Sequence, residues 1–115
     1  MRIGEIARLT DSELVVDPGQ AGREFARIVA SNTMSDLIAN AGRDTLILTT
    51  LNNSQLARIA ELMEIPGICL AASASPGPDL VAGVRACGAA LLVSPLTFAE
   101  AQGRLQAALG ASGGP

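Results

Sequence analysis

The feature that most constrains this chain is a set of short, unbroken apolar runs from Leu46 onward. Leu46-Ile47-Leu48, Ile68-Cys69-Leu70 and Ala90-Leu91-Leu92-Val93 alternate with segments whose apolar residues recur at helical spacing. A strand with one face in water alternates apolar and polar residues, whereas one covered on both faces does not. These runs are read as strands buried between two helix layers. Short connections between strand and helix make the sheet mainly parallel, so the expected architecture is a three-layer α/β/α fold with five strands.

The remaining elements fall into place around those runs. Ile3 to Leu9 reads as a short helix and Glu13 to Val16 as a brief strand closed by Asp17-Pro18-Gly19, a turn signal. Phe25 to Ser31 reads as a strand, and Thr33 to Ala41 as a helix with Met34, Leu37, Ile38 and Ala41 on its inner face. Thr45 to Thr50 is the next strand, and Asn53 to Met63 is a helix burying Leu56, Ile59, Ala60 and Met63. Ile68 to Ala72 and Ala90 to Val93 are strands. The helix between them opens at Pro78 or Asp79, carries Leu80, Val81, Val84 and Cys87, and stops at Gly88. A last helix, Thr97 to Leu109, turns Phe98, Ala101, Leu105 and Ala108 inward. One domain over residues 1–109 is expected, followed by a disordered tail over 110–115.

Composition excludes several functions. The net charge is −3, and the eight basic residues are all Arg and scattered, with aromatics at 2%. A nucleic-acid partner asks for a clustered basic face and stacking rings, so none is expected. No apolar run reaches membrane length and Met1 to Leu9 carries charges, so neither a membrane span nor a signal peptide is expected, which makes the chain cytoplasmic. Without His, and with only Cys69 and Cys87 as thiols, no metal site is expected, and both cysteines read as small buried hydrophobes. The chain also lacks Lys and Tyr, a glycine-rich loop ending in Lys and a G-x-S-x-G elbow. Ser35 and Asp36 are helix neighbours that point apart, so they make no nucleophile–base pair. No catalytic residue and no cofactor is assigned, and the chain is not expected to be an enzyme.

Polar residues concentrate where the strands end. The lips read Ser31-Asn32-Thr33, Thr49-Thr50-Leu51-Asn52-Asn53-Ser54, Ser73-Ala74-Ser75 and Ser94-Pro95. In an open parallel sheet ligands sit beyond the carboxyl ends of the strands. Each lip precedes a helix whose first N–H groups are unpaired and partially positive, so the rim can receive a phosphate or a ribose without Lys. The candidate ligand-binding residues are Ser31, Asn32, Thr50, Asn52, Asn53, Ser73, Ser75 and Ser94, with Arg23 and Arg27 as counter-charges to a phosphate or to a subunit partner. Helix capping alone also explains Thr33, Asn53 and Thr97, and solvated edge charge also explains the two arginines.

The stretch from Gly22 through Arg23-Glu24-Phe25 and Ser31-Asn32-Thr33-Met34-Ser35-Asp36 to Ala41 resembles the DRTGG domain family. Arg23, Ser31, Ser35 and Asp36 stand where that family carries its Arg and its Ser-Asp positions. Asp44-Thr45-Leu46-Ile47-Leu48-Thr49 resembles the next family strand and Asn53 to Ala60 the helix after it. Pro78-Asp79 and Ser94-Pro95-Leu96-Thr97-Phe98-Ala99 match later features, so the resemblance covers nearly the whole chain. It departs at the motif that names the family: Gly22 replaces the Asp, and Ala26-Arg27-Ile28 replaces Thr-Gly-Gly.

The resemblance implies a three-layer fold similar to the amino-terminal domain of HPr kinase/phosphorylase. It also implies a homodimeric regulatory module without a catalytic site. In regulatory pyrophosphatases such domains sit beside CBS domains and help bind a diadenosine polyphosphate at a dimer interface, so an adenine-type nucleotide is the implied ligand. The alternative is a pure docking module for a partner enzyme or regulator. Its motive is the apolar, charge-poor character of Ala71 to Ser75 and Gly83 to Val93.

Overall fold

The structure is a computed structural model, and it describes residues 1–19, 24–72 and 75–113. The elements run α1 (Ile3–Leu9), β1 (Glu13–Val16), β2 (Arg27–Ala30), α2 (Met34–Asn40), β3 (Thr45–Thr49), α3 (Gln55–Met63), β4 (Gly67–Leu70), α4 (Pro78–Cys87), β5 (Ala90–Val93) and α5 (Phe98–Gly113).

The five strands form one sheet in the order β1-β5-β4-β3-β2. β2, β3, β4 and β5 pair in parallel, and β1 joins β5 antiparallel with a register shift between Leu14 and Val16. The apolar runs are covered on both faces, as their lack of alternation requires. Ile47, Ile68, Leu70 and Leu91 point into a core closed by Leu37, Leu56, Ile59, Leu80 and Val84 of α2, α3 and α4. Leu46, Leu48, Cys69, Ala90 and Leu92 point the other way, into a core closed by Ile3 and Ile6 of α1 and Ala101 and Leu105 of α5. The fold is therefore three-layer α/β/α.

The order of the parallel strands explains which helices share a face. From β2 to β5 the chain steps steadily in one direction, and a crossover between parallel strands is right-handed. Three successive crossovers of one hand put α2, α3 and α4 on the same side. The other side is left to α1 and α5, which pack on each other.

Local signals set the ends of the helices. α4 opens with Pro at its first turn and stops at Gly88, whose φ of +75° takes the left-handed region that glycine enters without strain. α5 continues to Gly113, four residues beyond the Leu109 expected from the sequence. The expected tail at 110–115 thus begins inside this helix, and residues 114–115 lie outside the described residues. α2 is the other departure. Leu37 is buried, but Ile38 is 52% exposed instead of facing inward. Two turns of helix present only a narrow stripe to the sheet, and Leu37 with Ala41 fills it.

Candidate functional site

The carboxyl ends of β2, β3, β4 and β5 lie along one rim, and most of the candidate ligand residues sit there. The rim is a hydrogen-bonded unit rather than a row of idle polar groups. The Asn32 side-chain oxygen, after β2, accepts the Thr50 N–H at 2.8 Å and the Thr50 hydroxyl at 2.9 Å, both from the loop after β3. Asn52 ties that loop to the next one. Its Nδ2 donates to the Ser75 carbonyl at 2.6 Å, and its Oδ1 accepts the Gly77 N–H at 3.0 Å. Ser94, after β5, is fully buried; it donates to the Thr10 carbonyl at 2.5 Å and accepts the Leu96 N–H at 3.1 Å.

Three further residues act locally. Ser31 accepts the Thr33 N–H at 3.1 Å and donates to Asp36 Oδ2 at 3.2 Å. Asn53, one residue before the N-cap Ser54, accepts the Gln55 N–H at 3.0 Å and so satisfies a free donor in the first turn of α3. Thr97 caps α5 through the Glu100 N–H at 3.1 Å. Thr33 does not cap α2 with its side chain; its backbone N–H is held by Ser31 instead. Ser73 and Arg23 lie outside the described residues.

Arg27 is not on this rim. It is the first residue of β2, at the amino end of the parallel strands. The four residues from Arg27 to Ser31 separate it from the rim by about 13 Å of extended chain. Its Nε reaches Asp44 Oδ1 at 3.1 Å and its Nη2 reaches Thr45 Oγ1 at 3.1 Å. The Arg27 guanidinium holds the Asp44 carboxyl below its ordinary range by hydrogen bonding to it.

The antiparallel first strand changes the electrostatics of the rim in a way the lips alone do not show. Because β1 runs backwards, its start lies beside the end of β5, with Glu13 opposite Val93. Asp11 and Glu13 thereby border a groove of about 350 Å³ that also touches Ser75, Pro76 and Pro95. The guanidinium that the fold brings to this corner is Arg104 of α5, bonded to the Leu9 carbonyl at 3.2 Å and to Asp11 at 3.4 Å. An anion on the rim is therefore better received toward β2, β3 and β4 than at the β5 corner. A larger groove of about 550 Å³ lies at the opposite, amino end of the sheet, between Arg43, Glu61, Glu64 and Gly88.

Chemistry beyond binding finds few groups. Cys69 is buried, and burial pushes its thiol above the ordinary value while Ser12 lies 3.6 Å from its sulfur. Cys87 is half-buried. Among the described residues, no three metal-ligating side chains come together, and no helix is long and apolar enough to cross a membrane. Of the apolar stretches that suggested a docking surface, Ala71, Val84, Ala89, Ala90, Leu91 and Leu92 are buried, while Ala72 and Ala86 are exposed. The large apolar side chains exposed instead are Ile38 of α2 and Leu62 of α3, the latter 77% exposed.

The sequence matches no protein-family model. No curated protein matches it either. Among solved structures, the fold is similar to the CBS and DRTGG domains of the regulatory region of Clostridium perfringens pyrophosphatase, crystallised with its activator, diadenosine tetraphosphate. The TM-score is 0.71 at 7% sequence identity, over 91% of this chain and 46% of that one, so the chain spans about half the length of the region it matches. The fold of this chain is DRTGG-like.

Proposed function

We propose that this protein is a non-catalytic, cytoplasmic regulatory module that acts as a homodimer and senses an adenine-type nucleotide on the rim at the carboxyl ends of its strands. The observation that carries this reading is the coupling of the rim loops. Asn32 joins the loops after β2 and β3, and Asn52 joins those after β3 and β4. A ligand that displaces either amide from its partners disturbs two strand ends at once, and the loop after β3 is common to both links, which is what a sensor needs and a passive scaffold does not. The fold shared with a regulatory region that binds a diadenosine nucleotide supports the same reading.

A thermal-shift series with AMP, ADP, ATP and diadenosine tetraphosphate tests it. A ligand at a hundred times its dissociation constant stabilises the native state by about 2.7 kcal/mol. A rise in Tm with one of these nucleotides, reduced in Asn52→Ala, supports the sensor. No shift at millimolar nucleotide removes it.

A second reading is a docking module for a partner enzyme or regulator, without a small ligand. It is favoured by one specific observation: the side-chain oxygens of Asn32 and Asn52 and the Ser94 hydroxyl are already bonded inside the protein. An unshifted Tm in every nucleotide, together with a stable complex with a partner, selects it.

A further inference from the structure

The two edges of the sheet are built differently. β1 starts with the exposed Glu13 and carries a register shift between Leu14 and Val16. A charge and a bulge are the devices by which an edge strand refuses a neighbour. β2 also opens on an exposed charge, Arg27, whose N–H shares the Asp44 carbonyl with the Ala26 N–H, but from Ile28 to Ala30 it carries neither charge nor bulge. Ile28, Val29 and Ala30 pair with β3 in unbroken register, and all three are half-buried.

The free side of β2 can be read from its hydrogen bonds. The Arg27 N–H reaches the Asp44 carbonyl at 3.2 Å, and the Ser31 N–H reaches the Leu48 carbonyl at 3.1 Å. Odd-numbered residues thus bond inward, and alternation turns the N–H and C=O of Ile28 and Ala30 outward. Among the described residues no strand pairs with that side of Ile28 to Ala30; just ahead of β2 the amino terminus bonds the Phe25 backbone, the Phe25 N–H reaching the Met1 carbonyl at 2.7 Å and the Met1 amino group the Phe25 carbonyl at 2.9 Å.

From this asymmetry we infer that β2 is the dimer interface: it pairs antiparallel with β2 of a second copy, extending the sheet across a twofold axis. This assignment rests on the homodimer reading above and names its surface. The occupant follows from the pattern of the edge. A twofold axis at Val29 sets Ile28 against Ala30 of the other copy, so all four outward groups of each strand exchange bonds with their counterparts. The same register sets Arg27 against Ser31 of the other copy. Ser31 donates to Asp36, and Asp36 takes part in none of the ion pairs among the described residues. Val29 points to the α2 side of the sheet, and by alternation Arg27 and Ser31 do too. Arg27 of one copy, which also pairs with its own Asp44, therefore faces Asp36 of the other copy, which has no cation of its own among the described ion pairs, on one face and twice per dimer. A parallel partner would set like ends together and lose this match. Strand spacing of about 4.8 Å also brings the two α2 helices, each beside its own β2, to roughly the 10 Å at which helices pack.

Light scattering and sedimentation of the full chain test the assignment, with thermal melts as the check on folding. Wild-type protein is expected to be a dimer of the 11.7 kDa chain at tens of micromolar. Ala30→Pro removes an outward N–H and no inward one, and is expected to give a monomer with a cooperative melt. Asp36→Arg, at an exposed position, is expected to weaken the dimer about tenfold or more. Mixing it with Arg27→Asp protein is expected to yield a heterodimer tighter than either parent's homodimer, because each strand end then meets its opposite charge. A wild-type protein that stays monomeric at every concentration overturns the homodimer reading and this interface together. A wild-type dimer that survives both Ala30→Pro and Asp36→Arg, with no preference for the charge-swapped pair, overturns the interface alone.

Discussion

Gly83 of α4 and Ala57 of α3 approach so closely that a Cβ placed on Gly83 would stand 2.5 Å from the Cβ of Ala57. The two helices are adjacent on one face of the sheet, and small residues at their contact let their backbones come together. Gly83→Ala would ordinarily favour a helix, since glycine is the poorer helix former by about 1 kcal/mol. Here overpacking wins, and a net loss of about 1–3 kcal/mol is expected. Urea denaturation of Gly83→Ala against wild type measures it; a gain in stability would show that the helices separate without cost.

The buried hydroxyl of Ser94 fastens the end of β5 to the end of α1. It donates to the Thr10 carbonyl, and Thr10 is itself fully buried. Ser94→Ala leaves that carbonyl without its donor in a dry place and is expected to cost about 1–3 kcal/mol. Amide exchange should localise the change to Leu96, whose N–H loses its acceptor.

Asn52 makes its bonds at an exposed position, so the effect of removing it is smaller and more local. Asn52→Ala is expected to cost about 1 kcal/mol. Exchange at the Gly77 amide, which precedes α4, should rise while that of α4 itself does not, because the Asn52 oxygen is its acceptor. Exchange that is unchanged at Gly77 would break the link drawn here between neighbouring loops.

Arg27 and Asp44 predict a pH dependence of definite sign. The folded pKa of Asp44 lies below the ordinary value of 3.8, so the folded chain releases this proton more readily than the unfolded chain. Stability from the pair is present above the ordinary value and is lost as pH falls through the lowered folded one. Asp44→Asn should therefore narrow its stability gap to wild type below about pH 4. The pair is solvent-exposed, so added salt should shrink the gap at neutral pH as well.

The two thiols should react at very different rates. Burial raises the Cys69 pKa above its ordinary value of 9.0, so thiolate is scarce as well as inaccessible. In native protein a thiol reagent is expected to modify the half-buried Cys87 first, and Cys69 only at the rate of unfolding. Raised pH works the other way from Asp44: above about 9.0 the unfolded chain gives up the Cys69 proton while the folded chain retains it, so stability falls with alkali.

The buried strands were legible in the sequence because their burial on two faces leaves a continuous apolar run, and β3, β4 and β5 lie where those runs place them. The stop of α4 at Gly88 was legible from a single residue whose backbone freedom has a local cause. Ile38 was not, since helical spacing admits it to the inner stripe and only the width of the contact excludes it. The rim is the clearest contrast. Residue type placed Asn32 and Asn52 at strand ends, but their partners, Thr50 and Ser75, sit 18 and 23 residues away. No local pattern encodes such pairings. Asp11 and Glu13 reach the rim only because β1 runs against the other strands, and a four-residue strand carries no sign of its direction. Ala72, with a φ of +67°, is a left-handed alanine after β4 that no turn signal announces.

The steady march of the parallel strands has a consequence for the order in which this molecule can be completed. Its crossovers clothe one side of the sheet as the chain is laid down, but Leu46, Leu48, Cys69 and Leu92 on the other side wait for Ala101 and Leu105 of the final helix. During synthesis α1 alone can shelter that side until α5 emerges from the ribosome, so the half-made protein carries an apolar sheet face that is only partly covered after all five strands are in place.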